Sequence, residues 1–158
     1  MNAIRIEESI IIEELPELVF DFTQDYGKRL HWDTFLKRAD LLDGASKAGK
    51  GVKAYCVAKN GLAMVTEYIT FNRPEVTAIK MTKGPFLFRS FLGSWRFRLK
   101  SAGKTEVVFL YSFTPRFPFV LLSGLIKRNL HKNVRQRLID LKQSIEQMDK
   151  KPDGKTGR

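Results

Sequence analysis

The chain has 158 residues, 43% of them hydrophobic and 28% charged, with a formal net charge of +11, one cysteine and two histidines. That is enough apolar content for one domain with a real core, while a lone cysteine excludes an internal disulfide and no apolar run approaches the roughly 20 residues of a spanning helix. The opening MNAIRIEESIIIEE lacks the basic start and cleavage site of a leader, so a cytoplasmic protein is expected, and the cation excess points to anionic partners such as nucleic acid, acidic lipid or an acidic protein.

Ile4, Ile6, Ile10 and Ile12 alternate with Arg5, Glu7 and Ser9, which predicts a half-buried strand over 4–13 with Glu8 on the isoleucine face. Pro16 suits the first turn of a helix whose apolar stripe is Leu15, Leu18, Val19 and Phe22. A second short helix is expected from about Tyr26 to Leu36. Six strands follow, over 38–43, 51–59, 62–73, 76–83, 90–100 and 104–114, divided by turn-like segments. One of these, Asn60-Gly61, reads as a two-residue hairpin turn. Beyond Pro115 the period changes. Leu122, Ile126, Leu130, Val134, Leu138, Leu141, Ile145 and Met148 step by three or four, the mark of one amphipathic helix of roughly 30 residues starting near Pro118. Residues 1–148 are therefore read as one domain, and the polar stretch 149–158 as a disordered basic tail.

This order implies an α+β fold: a curved seven-stranded antiparallel sheet wrapped round a long C-terminal helix, with two short helices after the first strand. A bent sheet and a cylinder do not match everywhere, so a cavity between them is expected.

Few residues offer chemistry. GASKAGKG (44–51) matches the phosphate-loop pattern up to its last position, but Gly51 stands where Ser or Thr is needed and a strand follows, so it is read as a loop. His31 and His131 lie about 100 positions apart, and no metal-ligand spacing exists; no cofactor is expected. His131 falls on the basic face of the long helix, and Cys56 reads as a buried structural thiol. In RLHWDTF (29–35), residues two apart on a helix do not face each other, so a His31–Asp33 catalytic pair is not expected. Trp32 is read as an anchor closing the cavity, and Asp33 as a cap for backbone amides.

Aromatic placement is richer. Phe91, Trp95 and Phe97 share one strand face with Gly93, and Phe109, Tyr111 and Phe113 share another, which specifies a large apolar interior. In an up-and-down sheet, the connections near 59–62, 83–90 and 114–118 lie at one end. That end carries Phe86, Phe88, Phe117 and Phe119 among Lys59, Lys83, Arg89 and Arg116. Either these phenylalanines fold back to plug the core, or they form the mouth of a pocket that touches an acidic membrane. The two readings stand level.

The element order resembles the START-like helix-grip superfamily, which includes Bet v 1-type binders, lipid-transfer domains and polyketide aromatase/cyclases. The stretch Gly84-Pro85-Phe86, then Leu92-Gly93, Trp95, Phe97, the strand from Phe109 to Phe113 and the helix residues Lys127, Asn133 and Val134 look like its coenzyme-Q-binding and ribosome-association-toxin branch. Trp32-Asp33 with Phe35 resembles an element found after the second helix in many members. The resemblance implies an internal site for a hydrophobic small molecule: a lipid, an isoprenoid quinone or a polyketide-like compound. Its expected lining is Trp32, Tyr68, Phe86, Phe88, Phe91, Trp95, Phe97, Tyr111, Phe117, Phe119, Leu122 and Ile126, with Glu8, Tyr68 or Tyr111 orienting the ligand. A carrier, without catalytic residues, is the first reading. An aromatase/cyclase using Arg96, Glu67 or Glu8 is the second. A ribosome or RNA partner held by Lys127, Arg128, Lys132, Arg135 and Arg137 is the third.

Overall fold

The computed structural model describes residues 2–150; most of the expected tail, 151–158, lies outside the described residues. Strand β1 (Ile4–Ile12) leads into helices α1 (Pro16–Gln24) and α2 (Arg29–Trp32). Strands β2 (Leu36–Leu41), β3 (Lys53–Ala58), β4 (Ala63–Asn72), β5 (Val76–Lys83), β6 (Phe88–Ser101) and β7 (Lys104–Pro115) follow. A 3₁₀ turn at Phe119–Leu122 then precedes helix α3 (Ser123–Lys150). The strands form one antiparallel sheet in the order β1-β7-β6-β5-β4-β3-β2, so the first strand pairs with the last and the others are neighbours in sequence.

Alternation along β6 and β7 sends Phe91, Trp95, Phe97, Val107, Phe109, Tyr111 and Phe113 inward. The register sets Trp95 opposite Phe109, their rings stacked at 4.0 Å between centroids. Helix α3 lies against β1 and covers this face with Val134, Leu138, Leu141 and Ile145. The predicted stripe overshoots at both ends: Leu122 and Met148 are exposed, while Ile126 and Leu130 are partly buried against the core.

The structure corrects three local expectations. Helix α1 buries Pro16, Val19, Phe20 and Thr23, at i, i+3, i+4 and i+7, together with Gln24 and the expected Phe22, whereas Leu15 and Leu18 are exposed. The sequence holds two apolar stripes at helical spacing, and packing chose the one that sets Phe20 edge-on to Phe71 and Phe97, each at 5.3 Å. Second, α2 is only four residues long, because Asp33 ends it and accepts the amide of Phe35 (3.2 Å), turning the chain into β2. Third, the β3–β4 hairpin turns through three residues, 59–61. Gly61 donates to Ala58 O (2.9 Å), Ala58 donates to Leu62 O (2.8 Å), and Gly61 takes φ +94°, the left-handed position of a three-residue loop. The C-terminal helical stretch begins next to Pro118, as expected, with a 3₁₀ turn that becomes α-helical at Ser123. Residues 44–51 form the loop between β2 and β3, as expected.

Candidate functional site

Between the concave sheet and α3 lies a cavity of about 170 Å³. Its walls are apolar: Ile79, Phe88, Phe91, Trp95 and Phe109 from the sheet, and Leu130 from α3. Gly93 is part of the wall for a steric reason. A β-carbon there would lie 3.2 Å from both Ile79 and Tyr111, so any side chain would press on them.

The floor is polar. Arg29 of α2 and Arg137 of α3 both line the cavity, although they are only 7% and 4% exposed. Both bind Asp33, which is fully buried. Arg29 Nε donates to Asp33 Oδ2 at 2.8 Å, and Arg137 donates to the same oxygen through Nη2 (2.9 Å) and Nε (3.2 Å). Arg137 Nη1 also donates to the Tyr111 hydroxyl. Burial opposes ionisation of Asp33, yet the guanidiniums of Arg137 and Arg29 hold its carboxyl below the usual range. A second polar chain runs along the adjoining wall: Tyr26 and Tyr68 hydroxyls lie 3.3 Å apart, and Tyr68 donates to Gln24 Oε1 at 2.7 Å. Burial pushes the Tyr26, Tyr68 and Tyr111 hydroxyls upward, so they remain donors at neutral pH. Cys56 also lines the cavity; burial raises its thiol, which makes it an unreactive neutral group.

The cavity reaches the surface through a shallow groove with which it shares Phe35, Asn60, Asn129, Asn133 and Arg137. The 84–88 segment, whose Pro85 and Phe88 line the cavity, meets the 116–119 segment. Arg116 Nε donates to Phe86 O (3.0 Å), its guanidinium covers the Phe86 ring, and Phe119 meets that ring edge-on at 6.4 Å. Phe86 and Phe117 do not plug the core: they are 67% and 75% exposed, and Leu121 next to them is 78% exposed.

Of the residues expected at the site, Tyr68, Phe88, Phe91, Trp95 and Tyr111 line the cavity together. Phe88 does so as the first residue of β6, not as part of a loop. Trp32 and Phe97 are in the core behind the wall, Trp32 against Trp95 and Phe97 against Phe20. Phe86, Phe117, Phe119, Leu122 and Ile126 belong to the flank and the start of α3, off the cavity lining. Glu8 is not in the lining either: it faces α3 and pairs with His131. Glu67 and Arg96 alternate with the inward Tyr68 and Trp95, and Glu67 pairs with Lys80 on the outer face. His31 is exposed.

The sequence reading missed the ionic floor. It placed Arg137 on the solvated basic face of the long helix, yet Arg137 is buried. A signal was present: positions 130, 134, 137 and 141 form one stripe, so an arginine stands among Leu130, Val134 and Leu141. Arg29 and Asp33 likewise have i, i+4 spacing.

Residues 3–146 match the family profile described as polyketide cyclase/dehydrase and lipid transport. The chain belongs to this family. No curated protein matches it. Solved structures share its fold. A START superfamily protein from Mycobacterium smegmatis superposes with a TM-score of 0.78 at 9% identity, covering 91% of this chain and 98% of that one. The Zhui aromatase/cyclase from Streptomyces sp. R1128 gives 0.76 at 15% identity, covering 91% and 94%. Ginseng major latex-like protein 151 from Panax ginseng gives 0.64 at 12%, covering 86% and 99%. The START-like helix-grip expectation is therefore met, and family membership supports a role in binding a hydrophobic small molecule.

Proposed function

We propose that the protein is a non-catalytic carrier or chaperone that takes a small apolar molecule into the cavity, polar end toward the arginine–tyrosine floor. The observation that carries this reading is an apolar wall and a donor-rich floor in one cavity: burial supplies affinity and the donors orient the ligand. Size narrows the class. An apolar cavity of about 150 Å³ takes a benzene-sized guest, so one of about 170 Å³ suits a substituted single ring. A lipid or isoprenoid quinone would lodge its head or one end there, with the remainder leaving by the mouth.

Titration favours a carrier over an aromatase/cyclase. A general acid or base works best with a pKa near the operating pH. Burial raises Tyr26, Tyr68, Tyr111 and Cys56 away from neutrality. Burial works against the charge of Arg29 and Arg137, but Asp33 together with the neighbouring tyrosines outweighs it and both stay charged. Native mass spectrometry with solvent extraction of the purified protein tests the carrier reading. One retained apolar ligand per chain, or uptake of one from a panel of alkylated monocyclic aromatics, is expected; a chain that stays empty against the whole panel refutes it. Turnover of a poly-β-keto thioester would move the assignment to the enzyme.

The exposed ridge of Phe86, Phe117, Leu121, Leu122 and Leu125, beside the exposed cations Arg116, Lys127 and Arg128, supports delivery at an acidic bilayer. Co-sedimentation with vesicles containing phosphatidylglycerol should exceed that with pure phosphatidylcholine and fall in Phe117→Ser/Leu121→Ser. Equal sedimentation with both vesicle types removes the membrane from this reading. No observation favours the RNA reading, which loses Arg137 and retains Lys127, Arg128, Lys132 and Arg135 as a solvated face.

A further inference from the structure

We infer that the ligand carries a single anionic oxygen group, a carboxylate or an acidic enolate, and that Arg29 receives it; this rests on the binding reading above. The cavity floor holds two guanidiniums and one carboxylate, a surplus of one positive charge among the described residues. Asp33 is already engaged on both oxygens: Oδ2 accepts from both arginines and Oδ1 from the Phe35 amide. The remaining polar neighbours, the hydroxyls of Tyr26, Tyr68 and Tyr111, are neutral donors and supply no counter-charge.

The two arginines differ in what they have left to give. A guanidinium has five N–H groups. Arg137 directs Nε and Nη2 to Asp33 and Nη1 to Tyr111, so all three of its nitrogens are engaged. Arg29 uses Nε on Asp33 and Nη1 on Thr23 O (3.4 Å), which leaves Nη2 without an acceptor among the described residues. That nitrogen is not sealed off, for among the described residues the buried side-chain polar atom left without a partner is Trp32 Nε1. The accessible space that Arg29 lines is the cavity. A charged donor nitrogen with a charge to neutralise, in the lining of a small apolar chamber, matches a ring or short chain ending in a carboxylate. A neutral guest of the same shape would fill the chamber and leave the surplus charge unpaired.

Two probes of equal shape separate charge from burial: 4-isopropylbenzoate, and 4-isopropylacetophenone, which puts a methyl group in place of one carboxylate oxygen. Isothermal titration at pH 7 should show the benzoate binding at least about tenfold more tightly to the wild-type chain. Arg29→Gln should abolish that preference while changing the ketone's affinity little, and Arg29→Lys should retain part of it. Equal affinities for the two probes in the wild-type chain overturn the anionic assignment and leave the apolar carrier standing. A preference that survives Arg29→Gln overturns the role of Arg29. Binding of neither probe overturns the anionic assignment, while the carrier reading stands or falls separately on the ligand panel and solvent extraction. The wild-type comparison needs no variant to fold, so the proposal stays testable if Arg29→Gln is unstable.

Discussion

Asp33 holds two arginines from helices more than 100 positions apart in sequence and also turns the chain after α2. Removing its charge would leave two buried guanidiniums facing each other. Asp33→Asn should therefore cost about 3–5 kcal/mol at pH 7, read by urea denaturation. The pH dependence follows from the sign of its shift. The carboxyl is held below its ordinary value of 3.8, so its contribution is complete above that value and disappears as pH falls through the lowered one. The wild-type chain should lose stability steeply below about pH 4, and Asp33→Asn should flatten that acid limb. Gly93 is the opposite kind of residue, needed for what it lacks. Gly93→Val should press on Ile79 and Tyr111, costing about 1–3 kcal/mol by overpacking and reducing the uptake of aromatic guests.

Helix α3 divides into two parts with different tasks. Its later turns bury Leu138, Leu141 and Ile145, and truncating Leu141 to Ala should cost about 2–5 kcal/mol by thermal or chemical denaturation. Its first turn exposes Leu125, and the 3₁₀ turn before it exposes Leu121. Substituting these two with Ser should leave stability within about 0.5 kcal/mol, since nothing packs over them. The same period produces both regions. A helical stripe in sequence says which residues share a face, and the length of the sheet beneath says how much of that face is covered. Element α1 makes the point again: two apolar stripes were available, and the one carrying Phe20 was buried because Phe71 and Phe97 were there to meet it.

At the scale of the whole molecule, ligand binding and folding are linked. A guest that binds the folded chain should stabilise it by about 2.7 kcal/mol at 100 times its Kd, which for a chain of this size raises Tm by roughly 5–10 °C. Thermal unfolding with and without 4-isopropylbenzoate checks this, and no shift at saturation would show that the cavity does not take it. The curved sheet, the long helix and the aromatic interior were legible in the residues, because alternation and helical period are local properties that survive any arrangement of distant parts. Tyr68, Phe91, Trp95 and Tyr111 were legible at the site for the same reason: each lies on the apolar face of a strand. Only the tertiary structure decided which of the 28 lysines and arginines were withdrawn from solvent. Arg29 and Arg137 look like surface cations until α2, α3 and Asp33 come together. Arg29 and Asp33 stand one helical turn apart, but their withdrawal from solvent depends on Arg137 and α3 arriving from more than 100 positions away.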